Sequence, residues 1–143
     1  MPRLSLAFFS AGAVYGLSGM VWGAVMAAKQ DFTLAPAHAH LNLLGWVALS
    51  LMGAFYALAG SRAPLRLGWI NFTLSNLGVL VAIPALARML AGDKGVTPFV
   101  QAGTGLVILG MLSFIVAILS LWAPAKGVEA PAAIPEGLRA PAE

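Results

Sequence analysis

Four long apolar segments alternate with short polar connections along the chain. Residues 4–28, 41–60, 68–87 and 99–123 contain no Asp, Glu, Lys or Arg. A helix needs about 20 apolar residues to cross the hydrocarbon core of a bilayer, and each segment is long enough. Because lipid-exposed backbone must hydrogen-bond within its own segment, the pattern predicts an all-α integral membrane protein. The short connections favour antiparallel neighbours, and hence an antiparallel four-transmembrane-helix bundle.

The same pattern predicts two parts of unequal character. Residues 1–123 form the membrane domain, and residues 124–143 form a flexible cytoplasmic tail rich in Pro and Ala. Such a composition cannot bury a core. The first apolar segment is longer than the roughly 7–15 residues of a signal-peptide core, so we expect it to be retained as a helix.

Composition supports a lipid environment and excludes several functions. The chain is 60% hydrophobic and only 9% charged, whereas about 25% of the residues in a soluble domain are charged. The net charge is +3, but the basic residues are scattered at segment ends. They form no stripe, which argues against nucleic-acid binding. The absence of cysteine excludes disulfides and thiolate metal sites. No acidic residue lies within a segment, which argues against a proton-coupled transporter.

The basic residues also predict an orientation. The side with both termini and the second connection carries Arg3, Arg62, Arg66, Lys126 and Arg139, and the opposite side carries Lys29, Arg88 and Lys94. Basic residues are enriched on the cytoplasmic side of a membrane. We therefore expect a multi-pass protein of the bacterial inner (cytoplasmic) membrane with its N- and C-termini in the cytoplasm.

Small residues in the first segment indicate close helix packing. Gly12 and Gly16, and again Gly19 and Gly23, are four residues apart. This spacing lets helix backbones approach closely in lipid. Packing within the chain, oligomerisation and space for a flat cofactor are all compatible with it.

The third segment carries polar residues on one face. At 100° per residue, Asn71, Ser75, Gly78 and Ala82 lie on the same side of a helix. Unpaired amides are costly in hydrocarbon, so we expect this face to meet neighbouring helices.

The two histidines, His38 and His40, are the strongest candidates for chemistry. On a regular helix His38 shares a small, polar side with Asn42 and Gly45, whereas His40 points about 200° away among leucines. A haem is a large, flat, apolar ring whose iron takes an imidazole nitrogen, which suits His40. Alternatively, the helix starts late and His40 simply meets the membrane interface.

A metal other than haem iron is an alternative. Two histidines two residues apart can bind one ion only from a non-helical turn after Pro36. Methionine and histidine suit copper, and Met26, Met89 and Asp31 are expected at the same membrane level. A protein without any metal is the third alternative.

Further residues complete the candidate cofactor-binding set. Arg88 or Lys29 could pair with haem propionates, although an arginine at a helix end also snorkels to the interface without a specific role. Trp22 and Trp46 could pack on a porphyrin or belong to the aromatic belt. Asn42 lies close to both histidines in the sequence.

The second segment resembles a known helix. His40-Leu41-Asn42-Leu43-Leu44, followed by Met52-Gly53-Ala54 and Tyr56, is similar to helix II of the catalytic subunit (subunit I) of haem-copper oxidases. The likeness is nearest to nitric oxide reductases and C-type oxidases. In that family the helix begins at the outer face and its histidine is an axial ligand of the low-spin haem. The resemblance implies that His40 is the corresponding ligand, and that the chain is a truncated, four-helix relative.

The departures from this family limit the inference. The second axial histidine and the active-site metal ligands of the oxidases lie on later helices that this sequence does not contain. The resemblance therefore implies a haem b protein in electron transfer or gas sensing, at most an oxidoreductase component. Its sixth iron ligand would come from His38, a methionine, a partner or another copy. A homo-oligomer is expected, and a redox partner or an oxidase complex is a candidate partner. The alternatives are a copper-handling membrane protein and a cofactor-free structural subunit.

Overall fold

The structure, a computed structural model, describes residues 1–122, of which 89% are helical and none belongs to a strand. The predicted tail at 124–143 lies outside the described residues. Four helices follow one another: α1 (Arg3–Lys29), α2 (Ala35–Arg62), α3 (Leu65–Leu90) and α4 (Lys94–Ser120). Each is long and apolar enough to cross a membrane. For residues 1–122, the prediction of an all-helical protein with four such helices is confirmed.

Helix α2 begins at Ala35, six residues before the apolar segment from which it was predicted. Pro36 lies in its first turn, where a helix does not use the N–H that proline lacks. The preceding connection is ordered by Asp31, whose Oδ1 accepts hydrogen bonds from the Thr33 hydroxyl at 2.7 Å and the Thr33 N–H at 3.0 Å. These bonds lower the pKa of the Asp31 carboxyl. Both histidines therefore lie on helical backbone, and α2 does not start late.

A π-helix of eight residues, Leu41–Ala48, interrupts α2 between α-helical segments at Ala35–His40 and Leu49–Ala59. Each π-helical hydrogen bond spans five residues instead of four, which underwinds the helix. The underwinding explains why buried positions recur every four residues, at Ala37, Leu41, Gly45 and Leu49. Such segments are rare and frequently occur at functional sites. This one begins directly after His40.

The glycines of α1 pack against α2 within the same chain. A Cβ added at Gly12 would stand 2.8 Å from Ser50 Oγ, at Gly16 2.9 Å from Trp46 Cγ, and at Gly23 3.0 Å from His38 Cε1. At Gly19 it would overlap the Asn42 amide. Close packing within the chain is thus the role the structure gives to these four positions.

The polar face of α3 meets α4, as predicted. Asn71 and Ser75 are buried, and Asn71 Nδ2 donates a hydrogen bond of 2.8 Å to the carbonyl oxygen of Gly110. The two backbones are very close farther along, because a Cβ at Gly103 would stand 2.5 Å from the Ala82 nitrogen. The contact between α3 and α4 is the most extensive in the described part of the chain.

An aromatic cluster holds the opposite end of the molecule from the histidines. Phe8 of α1 stacks on Tyr56 of α2 with ring centroids 5.5 Å apart, and its edge meets Phe72 of α3 at 5.1 Å. Phe114 of α4 packs against Phe55 at 5.1 Å. All four helices contribute to this cluster.

Candidate functional site

A cavity of about 410 Å³ opens beside His40, between α2, α3 and α4. Its size is within the range of small-molecule and cofactor sites. The lining is apolar except for His40 and Thr104. The lining residues are Pro36, His40, Leu44, Ala82, Ile83, Leu86, Val100, Thr104, Val107 and Ile108. A large apolar ligand with one group that binds an imidazole matches this composition.

The His40 ring is held in one tautomer. Its Nδ1 lies 2.7 Å from the carbonyl oxygen of Pro36, one helical turn earlier. A carbonyl oxygen can only accept, so Nδ1 carries the proton and the neutral ring keeps its lone pair on Nε2. A hydrogen bond from the other ring nitrogen to a backbone carbonyl is the usual support for a metal-ligating histidine. The His40 side chain is exposed at the cavity rather than buried in the bundle.

His38 faces a different helix. Its ring packs on Gly23 of α1 and meets the edge of Trp22, with ring centroids 6.4 Å apart. Asn42 Nδ2 donates to the His38 carbonyl oxygen at 3.1 Å and lies 3.2 Å from His38 Nε2. His38, Asn42 and Gly45 share one side of α2, as predicted, and all three contact α1. The structure does not bring the two imidazoles to one cavity.

The two tryptophans of the candidate set lie where α1 and α2 meet, Trp22 on α1 and Trp46 on α2. Trp46 packs on Gly16. Trp22 lines a separate cavity of about 370 Å³ together with Tyr15, Ser18 and Leu41. Neither tryptophan lines the cavity of His40.

Arg88 is engaged by its own chain. Gly92, with φ +105°, turns the backbone after α3, and Asp93 then receives the Arg88 guanidinium at 2.6 Å. The Arg88 side chain is 69% exposed and lines a groove with Val96 and Phe99. That groove is distinct from the cavity of His40.

The side chains considered for a copper site do not come together. No group of three or more His, Cys, Asp or Glu side chains within residues 1–122 is placed to hold a metal ion. Since Ala35–His40 is α-helical, the non-helical turn that would let both histidines bind one ion is absent from this segment. Met26 is buried on α1, and Asp31 is bonded to Thr33.

Two features of the site were not anticipated from the sequence. Thr104 of α4 supplies the second polar side chain of the cavity, and Pro36 supplies the carbonyl that fixes the His40 ring. The Pro36 contact follows from a spacing of four residues once the helix is known to start at Ala35. Thr104 gives no such signal, because only the packing of α4 against α3 brings it to His40.

Comparison with protein-family models, with curated proteins and with solved structures finds no match for this chain.

Proposed function

We propose that this chain is a haem b-binding membrane protein in which His40 would hold the iron through Nε2. The single observation that carries the proposal is the His40 imidazole. Its Nδ1–H is bound to the Pro36 carbonyl, and its Nε2 is left free beside an apolar cavity of about 410 Å³. A histidine nitrogen is one of the common protein ligands of haem iron, and an apolar enclosure suits the porphyrin ring.

The proposal includes insertion in the membrane as an antiparallel bundle. Large apolar side chains are widely exposed, with Leu58 88% and Leu51 65% exposed, and a soluble monomer rarely presents so much apolar surface. Helices α1 and α2 are antiparallel, because Phe8 near the start of α1 contacts Gly53 late in α2, and Gly23 late in α1 contacts His38 early in α2. The excess of basic residues on the side of the termini supports N- and C-termini in the cytoplasm of a bacterial cell.

The residues of the proposed site and those that support its helix have separate tasks. The hydrogen bond to Pro36 orients the His40 ring and makes Nε2 a stronger donor to iron. Leu44, Ile83 and Val107 exclude water and keep the surroundings weakly polar. His38 and Asn42 join α2 to α1 and thereby fix the helix that carries His40. When bound, haem would supply one-electron or gas-binding chemistry.

The relation to haem-copper oxidase subunit I is part of this proposal. It is supported by the segment from His40 to Leu44, in which the resemblance to helix II coincides with the residue that faces the cavity. Arg88 is not part of the proposed site, because it pairs with Asp93 and lines another groove.

The test is a reduced-minus-oxidised absorption spectrum of the protein purified from haem-sufficient cells. We expect a b-type spectrum that survives size-exclusion chromatography in detergent. A flat spectrum, both as purified and after addition of haem, would contradict the proposal and favour a cofactor-free structural subunit.

A further inference from the structure

The cavity beside His40 offers one ligand to an iron that has two axial positions. Among the ten residues that line it, His40 has the only nitrogen donor in a side chain, and no sulfur donor is present. Thr104 provides a neutral hydroxyl, which is a poor ligand for haem iron. One copy of the described chain therefore furnishes half of a bis-histidine site.

The second histidine of the chain is not positioned to complete the site. His38 is held on the α1 side of α2 by Gly23, Trp22 and Asn42. Bringing its ring to the cavity would break these contacts and rotate the first turns of α2. The missing ligand is therefore more easily supplied from outside the chain.

The position of His40 makes this supply feasible. The imidazole is exposed, and it lies on the outer side of α2 rather than among the buried side chains. Ile108 lines the same cavity, and further exposed apolar residues follow along α2 and α4, including Leu51 and Leu112. In a two-fold dimer the same patch of both copies meets, and a residue close to the symmetry axis faces its own counterpart.

We propose that two copies of this chain share one haem, each copy supplying His40 as an axial ligand. This inference rests on the proposed function and names the partner at that site. A six-coordinate iron leaves no open position for a gas. Of the two roles in the proposed function, the shared site therefore favours electron transfer over gas sensing.

The experiment measures three properties of the full-length protein titrated with haem in detergent. These are the haem-to-chain ratio, the mass by light scattering, and the spin state by absorption and electron paramagnetic resonance. We expect saturation at one haem for two chains, a mass that doubles on haem addition, and a six-coordinate low-spin iron. The variant His40→Gly with added imidazole separates loss of the ligand from misfolding. It should regain a low-spin spectrum while the mass stays that of a single chain.

The outcomes distinguish this inference from the function on which it rests. One haem per single chain, whether five- or six-coordinate, would overturn the shared site and leave haem binding intact. A dimer whose mass does not depend on haem and whose iron binds carbon monoxide freely would also overturn it. Absence of any bound haem would overturn both.

Discussion

Replacing His40 by alanine is expected to abolish stable haem binding. Loss of a group that merely supports a metal ligand typically weakens binding roughly 10- to 100-fold, so loss of the ligand itself should exceed about 100-fold. The cavity would keep its apolar lining, but nothing else in it would bind the iron. The measurement is a haem titration followed by absorption, with retention tested on a size-exclusion column.

His38→Ala is the matched comparison, because it removes the same side chain two positions away on the same helix. The His38 ring packs on Gly23 and Trp22 rather than in the cavity. We expect this variant to retain haem with an unchanged spectrum, at some loss of helix packing. The opposite result, with haem lost in His38→Ala and kept in His40→Ala, would contradict the proposal. The ligand would then be His38, on the side of α2 that faces α1.

Gly103→Val is expected to be the most damaging substitution for the fold. A Cβ at Gly103 would stand 2.5 Å from the nitrogen and 2.7 Å from the Cα of Ala82. Because these are backbone atoms, α3 and α4 must move apart. Overpacking of this kind costs typically about 1–3 kcal/mol. The two helices also form most of the cavity wall, so haem affinity should fall with stability.

Gly105→Val provides the control for that prediction. Gly105 lies two residues farther along the same helix. A Cβ added there would have no heavy atom of another helix within 4 Å. We expect this variant to unfold at nearly the same denaturant concentration as the wild type in detergent micelles. Equal destabilisation by both substitutions would mean that the backbones of α3 and α4 are not in close contact at Gly103.

Features that depend on local pattern were predictable from the sequence. The absence of charge over about 20 residues is sufficient to indicate a spanning helix, and all four helices are found where such runs occur. The face of Asn71 and Ser75 follows from helical periodicity, and the structure buries it against α4. Gly19 and Gly23 were recognised as contact positions by their spacing, because only a small residue lets two backbones approach.

Features that depend on tertiary packing were not predictable. The apolar segment at 41–60 begins six residues after the helix itself, because a hydropathy pattern does not register the turn that contains Pro36 and the histidines. The π-helix at Leu41–Ala48 has no counterpart in the hydropathy pattern from which the helix was predicted. The pair of Arg88 and Asp93 depends on the turn at Gly92. Thr104 joins the site only through the packing of α4.

The most direct test of His40 as an iron ligand uses the fact that the chain has two histidines. In His38→Ala, His40 is the only histidine, provided that purification relies on a tag without histidine. Growth with ¹⁵N-histidine then labels one residue, and pulsed electron paramagnetic resonance of the ferric protein detects nitrogen bound to iron. We expect a strong ¹⁵N coupling to the iron. Bound haem without that coupling, or no bound haem, would contradict the proposal.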